Sequence, residues 1–370
     1  MITTKSPRRV LQYGYLVGLL TLRLYSCKYS RKTYNRPQLF ACLVLKEFLR
    51  LDYRKVTALL RDSPDLAGVI ELKSVPHFTT LQKAASRLLG FRPARRLLDQ
   101  TIHVARWQRN LPATVPLTAL DGTGLESHHA SSYYVRRRAK GGKNWQSTTY
   151  KRFPKVGILC DCRSHLILAV VPGRGPAPDI PHFRAALDQA LSRVRIAALA
   201  ADAGYDAEHS HEFAREQRDV RSLIPAKIGR QTTKPARGYW RRQMQSRLHL
   251  TRYPQRWQAE TVNSMLKRLL GSALRARSYW SQCREILLRT ITLNIMILRR
   301  RQGFYRATLA RIRNGSHPPA SAGQDPRRGP SCKGMYDEIA CGCLPRYECL
   351  GNEEAIYTEI FARRKENDRQ

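Results

Sequence analysis

The chain has 370 residues and a formal net charge of +38, from 66 Lys and Arg against 28 Asp and Glu. A balance this basic points to a polyanionic partner such as nucleic acid. A membrane partner is excluded, because there is no apolar run of about eighteen residues and no long basic amphipathic helix. Nine cysteines, an odd number scattered along the chain, indicate reduced thiols and a cytoplasmic protein.

The N-terminus imitates a signal peptide, since Arg8 and Arg9 precede an apolar run over residues 10–24. Gln12 and Arg23 interrupt that run, and no small-residue cleavage pattern follows. We therefore expect this segment to belong to the folded protein.

Residues 1–110 are predicted to form a helical module. Apolar residues recur at helical spacing between residues 36 and 108, and Thr79 and Thr80 are expected to cap a helix over residues 76–89. Short helices with basic faces favour a helix-turn-helix-like DNA-binding module, although any small helical bundle would give a similar pattern.

After Pro116 the pattern changes to short buried strands separated by helices. The predicted order is strand, hairpin, helix, strand, helix and strand, over residues 117–120, 156–162 with 166–171, 179–194, 196–201, 208–217 and 223–224. A final apolar helix is predicted over residues 285–300. This order predicts an α/β fold with a mixed sheet.

Four polar residues, Tyr253, Arg256, Glu260 and Lys267, follow the spacing Y-x2-R-x3-E-x6-K. On a helix, the last three lie within about 40° of one another. A buried stripe is predicted on the opposite side, formed by Val262, Met265, Leu266, Leu269 and Leu270. A solvated helix face with one Arg–Glu pair at i,i+4 would look the same.

Two aspartates each follow a predicted strand and precede a predicted glycine turn: Asp121 before Gly122, and Asp202 two residues before Gly204. Acids at neighbouring strand ends lie in the crevice where α/β proteins bind ligands. With Glu260 from the later helix they would form a three-carboxylate site, whose hard oxygen ligands select Mg²⁺ or Mn²⁺. Either aspartate taken alone could equally be a turn residue or a helix cap.

These patterns together resemble the DDE transposases of bacterial insertion sequences, in the group typified by IS-four and IS-five. The matching segments are Leu120-Asp121-Gly122-Thr123, Ala201-Asp202-Ala203-Gly204-Tyr205-Asp206 and the Tyr253/Arg256/Glu260/Lys267 signature. The segment Val75-Pro76-His77-Phe78-Thr79-Thr80-Leu81 resembles the helical N-terminal module of these enzymes. The resemblance covers roughly residues 36–310.

The resemblance implies an RNase H-like catalytic domain over residues 111–310 that binds two Mg²⁺ or Mn²⁺ ions through Asp121, Asp202 and Glu260. Tyr253, Arg256 and Lys267 would hold phosphates of the transposon end. The implied partners are double-stranded DNA, as transposon ends and target, and a second copy of the chain in a homodimer on DNA. The implied reaction is cleavage at terminal inverted repeats followed by strand transfer.

Charge distribution adds further DNA contacts. No acid occurs between Glu126 and Asp161, and this stretch contains Arg136, Arg137 and Arg138, which we expect to bind DNA.

A short basic insertion over residues 226–255 precedes the third acid. Trp240 or Trp257 could stack a base there or pack against the protein, so a hairpin intermediate stays open.

Residues 311–370 read as a linker and a disordered tail. The tail contains Cys332, Cys341, Cys343 and Cys349, whose spacing is not that of a zinc finger, so a zinc site stays only an alternative.

Two other functions remain open. One is a structure-specific nuclease of the same fold, and the other is a catalytically inactive, domesticated DNA-binding protein. Retention of all three acids argues against the second.

Overall fold

The computed structural model describes residues 3–127, 153–175, 177–227, 235–298 and 302–313. The chain divides into two compact units, Met1–Asn314 and Gly315–Gln370. The second unit, which contains most of the expected tail, lies outside the described residues.

The N-terminal part is helical, as the sequence predicts. Each of the first three helices begins at a side-chain cap: Ser6 accepts from the Arg9 amide, Asn35 and Gln38 form a capping box, and Asp52 accepts from the Lys55 amide at 2.7 Å. The six helices are α1 (Pro7–Thr21), α2 (Arg36–Phe48), α3 (Tyr53–Asp62), α4 (Pro64–Gly68), α5 (Phe78–Leu88) and α6 (Phe91–Trp107).

One helix cap in this region lies at a different residue from the predicted one. The cap of α5 is His77, so the prediction that Thr79 and Thr80 cap it was wrong; both lie inside the helix.

The segment that imitates a signal peptide forms α1, with Val10, Leu11 and Leu16 fully buried. Gly18 lets α1 approach α2 closely, because a Cβ there would lie 3.0 Å from the Pro37 Cα.

A five-stranded mixed sheet lies at the centre of the second half. Its strands are β2 (Thr118–Gly124), β4 (Phe153–Asp161), β5 (Ile167–Gly175), β7 (Ala198–Ala201) and β8 (Arg221–Leu223). Their order in the sheet is β5-β4-β2-β7-β8. β2 pairs antiparallel with β4, which pairs antiparallel with β5, whereas β2, β7 and β8 run parallel. Two short parallel pairs are β1 (Thr114–Val115) with β6 (Arg195–Ile196), and β3 (Glu126–Ser127) with β9 (Ala273–Leu274). The predicted mixed sheet and its hairpin are confirmed.

Helices cover both faces of this sheet. α7 packs on β4 and β5, while α10 packs on β2 and β4. The helices are α7 (Ile180–Leu191), α8 (Glu208–Glu212), α9 (Tyr239–Arg247), α10 (Trp257–Leu270), α11 (Tyr279–Ile297) and α12 (Gln302–Arg313). None of the described helices has the length and apolar character to cross a membrane.

The N-terminal helices and the sheet share one continuous hydrophobic core. Arg289 of α11 is buried and donates from Nε to the Glu47 carboxylate of α2 at 3.1 Å. Its other nitrogens donate to the carbonyls of Gly271 and Ala273, at 2.7 Å each, and to Glu285 at 2.6 Å. A buried charge is tolerated only when its hydrogen bonds are satisfied, so this network ties α2 firmly to α10 and α11.

Candidate catalytic site

Asp121 and Asp202 lie side by side on neighbouring strands in the interior of the sheet. β2 and β7 are parallel, and their last register pair places Leu120 opposite Ala201. Each of these residues is followed by an aspartate, so the two carboxylates occupy corresponding positions on strands about 4.8 Å apart. The expectation that the two acids belong to parallel neighbouring strands is confirmed, but only Asp202 follows its strand, because Asp121 lies within β2.

Asp121 lies in a partly buried environment. Burial raises the pKa of its carboxyl above the ordinary value, and the neighbouring Asp202 raises it further. Arg256, the Gly122 amide and Asn263 oppose that rise. The Asn263 Nδ2 donates to Asp121 Oδ2 at 2.9 Å. One carboxylate is therefore oriented by an amide from α10 and faces both a like charge and a cation.

Asp202 is more exposed and also caps the turn that follows β7. Its Oδ1 accepts from the Gly204 amide at 2.7 Å, at the start of a 3-10 turn over Ala203–Tyr205. One oxygen of the Asp202 carboxylate therefore acts as a helix cap, as the alternative interpretation of this residue predicts. Its other carboxylate oxygen has no protein partner among the described residues, which leaves it free to bind a ligand.

The signature residues begin at a short turn and continue into α10. Tyr253 and Arg256 belong to a 3-10 turn, and the α-helix starts at Trp257. Arg256 forms an ion pair with Glu260, whose side chain is 57 % exposed. Lys267 lies two turns further along and is half-buried. The predicted apolar stripe is confirmed: Val262, Met265, Leu266 and Leu270 are buried, and Leu269 is partly buried against the core.

The structure thus brings two of the three expected acids together. Asp121 and Asp202 are adjacent, whereas Glu260 faces Arg256. Within the described ranges, no group of three His, Cys, Asp or Glu side chains is close enough to hold a metal ion. Glu260 lies one helical turn before Asn263, the residue that contacts Asp121.

Asn263 is a functional candidate that the sequence patterns missed. It is 6 % exposed and follows Glu260 by three residues, so it lies on the same side of α10. The sequence signal that could have identified Asn263 is its i,i+3 spacing from Glu260. An ordinary buried polar residue can have the same spacing, and Asn263 is distinguished from one only by its contact with Asp121, which forms when α10 packs on β2.

Gly122 was interpreted from the sequence as a turn residue, and this was wrong. β2 continues through Gly124, so Gly122 lies within the strand and faces the opposite side from Asp121. A Cβ at Gly122 would lie 2.4 Å from Asp179 Oδ1. The glycine therefore makes room for Asp179, which pairs with Lys155 at 2.8 Å.

Tyr205 lies near these acids. Its side chain is 1 % exposed, and its hydroxyl has no hydrogen-bond partner among the described residues. Burial is the largest cause of its raised pKa, and Asp179, Asp121 and Asp202 raise it further. Tyr205 therefore stays a neutral phenol beside three carboxylates.

A second set of missed residues holds the insertion in place. The buried Asp206 carboxylate accepts from Arg241 Nε and Nη2, the shortest contact being 2.7 Å. Glu208 accepts from the amides of Trp240 and Arg241 at 2.9 and 3.1 Å, and so caps α9. Gly238 takes φ +98°, where a Cβ would collide with Glu208. This network fixes α9 to the segment that follows Asp202.

The two tryptophans differ in their surroundings. The Trp240 indole donates to Glu216 at 2.8 Å and lies under the Arg215 guanidinium, whereas Trp257 is 55 % exposed. Arg136, Arg137 and Arg138 lie outside the described residues.

Comparison with known families agrees with this geometry. Residues 114–295 match the family model described as Transposase DDE domain. A search of curated proteins finds no match to the chain. The matched segment contains the mixed sheet, both aspartates and α10, and it supports the expected domain of a transposase-type nuclease.

Proposed function

We propose that this protein cuts DNA at the terminal inverted repeats of an insertion sequence and joins the freed ends to target DNA. The match of residues 114–295 to the family model described as Transposase DDE domain supports this proposal. The observation that carries the proposal is the adjacency of Asp121, within β2, and Asp202, directly after the parallel strand β7. The sheet order and the helix that follows it support an RNase H-like core.

The residues present fit a divalent cation. Burial raises the pKa of Asp121 and the neighbouring Asp202 raises it further, so a positive ion would stabilise the charged Asp121 carboxylate, and hard oxygen donors favour Mg²⁺ or Mn²⁺. Asp121 and Asp202 would hold it, and Glu260 would complete the set from α10. When bound, a pair of such ions stabilises the charge on the attacking and leaving oxygens of a phosphoryl displacement.

The remaining site residues would bind and orient DNA. Arg256 forms an ion pair with Glu260, and its positive charge is also attracted by Asp121. Its guanidinium can therefore neutralise a phosphate close to the carboxylates. Tyr253 and Lys267 would hold neighbouring phosphates. The hydrogen bond from Asn263 fixes the orientation of the Asp121 carboxylate before DNA binds. We also propose that the active form is a homodimer on DNA.

The test uses a duplex oligonucleotide that carries the inverted repeat bracketing the gene. Asp121→Asn, Asp202→Asn and Glu260→Gln should each abolish Mg²⁺-dependent cleavage while leaving binding near normal, because they remove carboxylate charge and not DNA contacts. Asp188→Asn is the matched control, since Asp188 lies on α7 and its carboxylate pairs, among the described residues, with Arg218 at the surface. A neutral variant that cuts at the wild-type rate would remove that residue from the metal site.

The same assay separates the alternatives. Cleavage without strand transfer would identify a structure-specific nuclease, and binding without cleavage would identify an inactive DNA-binding protein.

The three arginines of the acid-free stretch are tested by the salt dependence of DNA binding. Replacing Arg136, Arg137 and Arg138 together by Ala should flatten the log K versus log salt slope by up to about 3 units. An unchanged slope would show that they do not contact DNA.

A further inference from the structure

The loop between α1 and α2 concentrates positive charge without a counterion. Arg23, Lys28, Arg31 and Lys32 lie in it, and the first acid of the sequence is Glu47. All four side chains are exposed. Within the described part of the chain, none of them forms an ion pair with a carboxylate. We call residues 23–36 the loop surface.

Neutral hydrogen bonds hold the loop surface in shape. The Ser26 and Ser30 hydroxyls lie 2.8 Å apart, and the Cys27 amide donates to Ser30 Oγ at 3.1 Å. The Arg36 amide donates to the Leu24 carbonyl at 2.9 Å and closes the base of the loop. Since its conformation does not depend on ion pairs, its charges remain available to a partner.

Two cations of the loop surface repel one another. Burial lowers the pKa of Arg36, and the positive charge of Arg23 lowers it further. An anion bound at the loop surface would reduce this repulsion.

The loop surface also presents aromatic hydroxyls. Tyr29 is 83 % exposed, and Lys28 Nζ lies 5.0 Å from the centre of its ring. Tyr34 donates to the Val75 carbonyl at 3.3 Å and accepts from Ser74 at 3.2 Å, which joins the loop to the segment leading into α5. The exposed face of α5 continues without acids through Gln82, Lys83, Ser86 and Arg87.

We propose that the loop surface binds the phosphate backbone of duplex DNA, as a contact region separate from the residues of the candidate catalytic site. The proposal rests on the proposed function. Arginine, lysine and tyrosine side chains are the groups that contact phosphates without reading sequence, and a chain of net charge +38 draws DNA toward such a surface.

The test compares two charge-matched double variants by DNA affinity over a range of salt concentrations. Arg31→Ala with Lys32→Ala removes two loop cations. Arg195→Ala with Arg221→Ala removes two exposed cations at the starts of β6 and β8, the opposite end of the sheet from Asp202. The loop variant should flatten the log K versus log salt slope by about 2 units, and the control should leave it unchanged.

Tyr29→Phe gives an independent readout. Loss of one hydroxyl contact to phosphate should weaken binding by about fivefold without changing the salt slope, because no charge is removed.

The outcomes separate this inference from the proposed function. If wild-type protein neither binds nor cuts the oligonucleotide, the proposed function fails. If wild-type protein binds and cuts but the loop variant keeps the full slope, the inference is overturned and the function stands. Loss of binding to phosphatidylserine vesicles, with an unchanged DNA slope, would assign the loop surface to a membrane and also overturn the inference.

Discussion

Asn263→Ala tests whether the amide that orients Asp121 serves the reaction. Asn263 is 6 % exposed, and its Nδ2 lies 2.9 Å from the Asp121 carboxylate. A hydrogen bond to a charged group contributes about 1.5–3 kcal/mol. If that amount is lost from the positioned carboxylate, cleavage should slow by roughly 10- to 150-fold, since about 1.4 kcal/mol corresponds to a tenfold change in rate.

The pH dependence provides a second readout that a general loss of stability would not produce. The Asn263 amide lowers the pKa of Asp121, opposing the rise caused by burial. Its removal should therefore raise that pKa, and the acid limb of the pH–rate profile should move to higher pH.

The assay is single-turnover cleavage of a labelled end oligonucleotide in Mg²⁺, with binding measured separately by anisotropy. Asn294→Ala is the control, because Asn294 is fully buried and bonds Ile167 and Thr101 away from the site. The control should lower thermal stability without changing the cleavage rate of the folded protein. A wild-type rate and an unshifted acid limb for Asn263→Ala would refute the reasoning.

Three further predictions address the fold and the site. Glu47→Gln should lower the free energy of unfolding by about 3–5 kcal/mol in denaturant titrations, because it removes the carboxylate paired with the buried Lys46 and one of the two carboxylates paired with the buried Arg289. Burial alone would raise the pKa of Glu47, but Lys46 and Arg289 lower it overall; its contribution is therefore present at neutral pH and should be lost as the pH falls through the folded-state pKa. A stability that does not change in the variant would contradict this. Gly122→Ala should slow cleavage at least tenfold at near-normal DNA affinity, because its Cβ would displace Asp179 beside the catalytic strand; a wild-type rate would show that the strand accommodates the methyl group. A chain that ends at residue 315 should still cut DNA, and full-length protein should contain no stoichiometric zinc by metal analysis; loss of cleavage or of bound zinc with the truncation would make the tail a functional domain.

Much of the fold follows from local patterns in the sequence. The helical N-terminal region, the hairpin of β4 and β5, and the apolar starts of β2 and β7 are each encoded by short-range periodicity and turn residues. The predicted ends of helices and strands were less accurate where a residue type is common both at the ends and in the interior of an element. Thr79 suits a cap but lies inside α5, and Gly122 suits a turn but lies inside β2.

The sequence by itself determined the candidate residues of the site. An acid at the end of each of two apolar runs, and a basic-acidic signature at helical spacing, depend only on order and period along the chain. The sequence also indicates a polyanionic partner, because net charge is a sum over residues and does not depend on the fold.

Only the tertiary structure decided how those residues meet. The contact between Asn263 and Asp121, the position of Asp179 against Gly122 and the capture of Arg241 by Asp206 each join segments far apart in the chain. Local periodicity carries no information on which face of one element meets another. Such contacts are selected when helices and strands pack their apolar faces together, because every buried polar group must then find a partner.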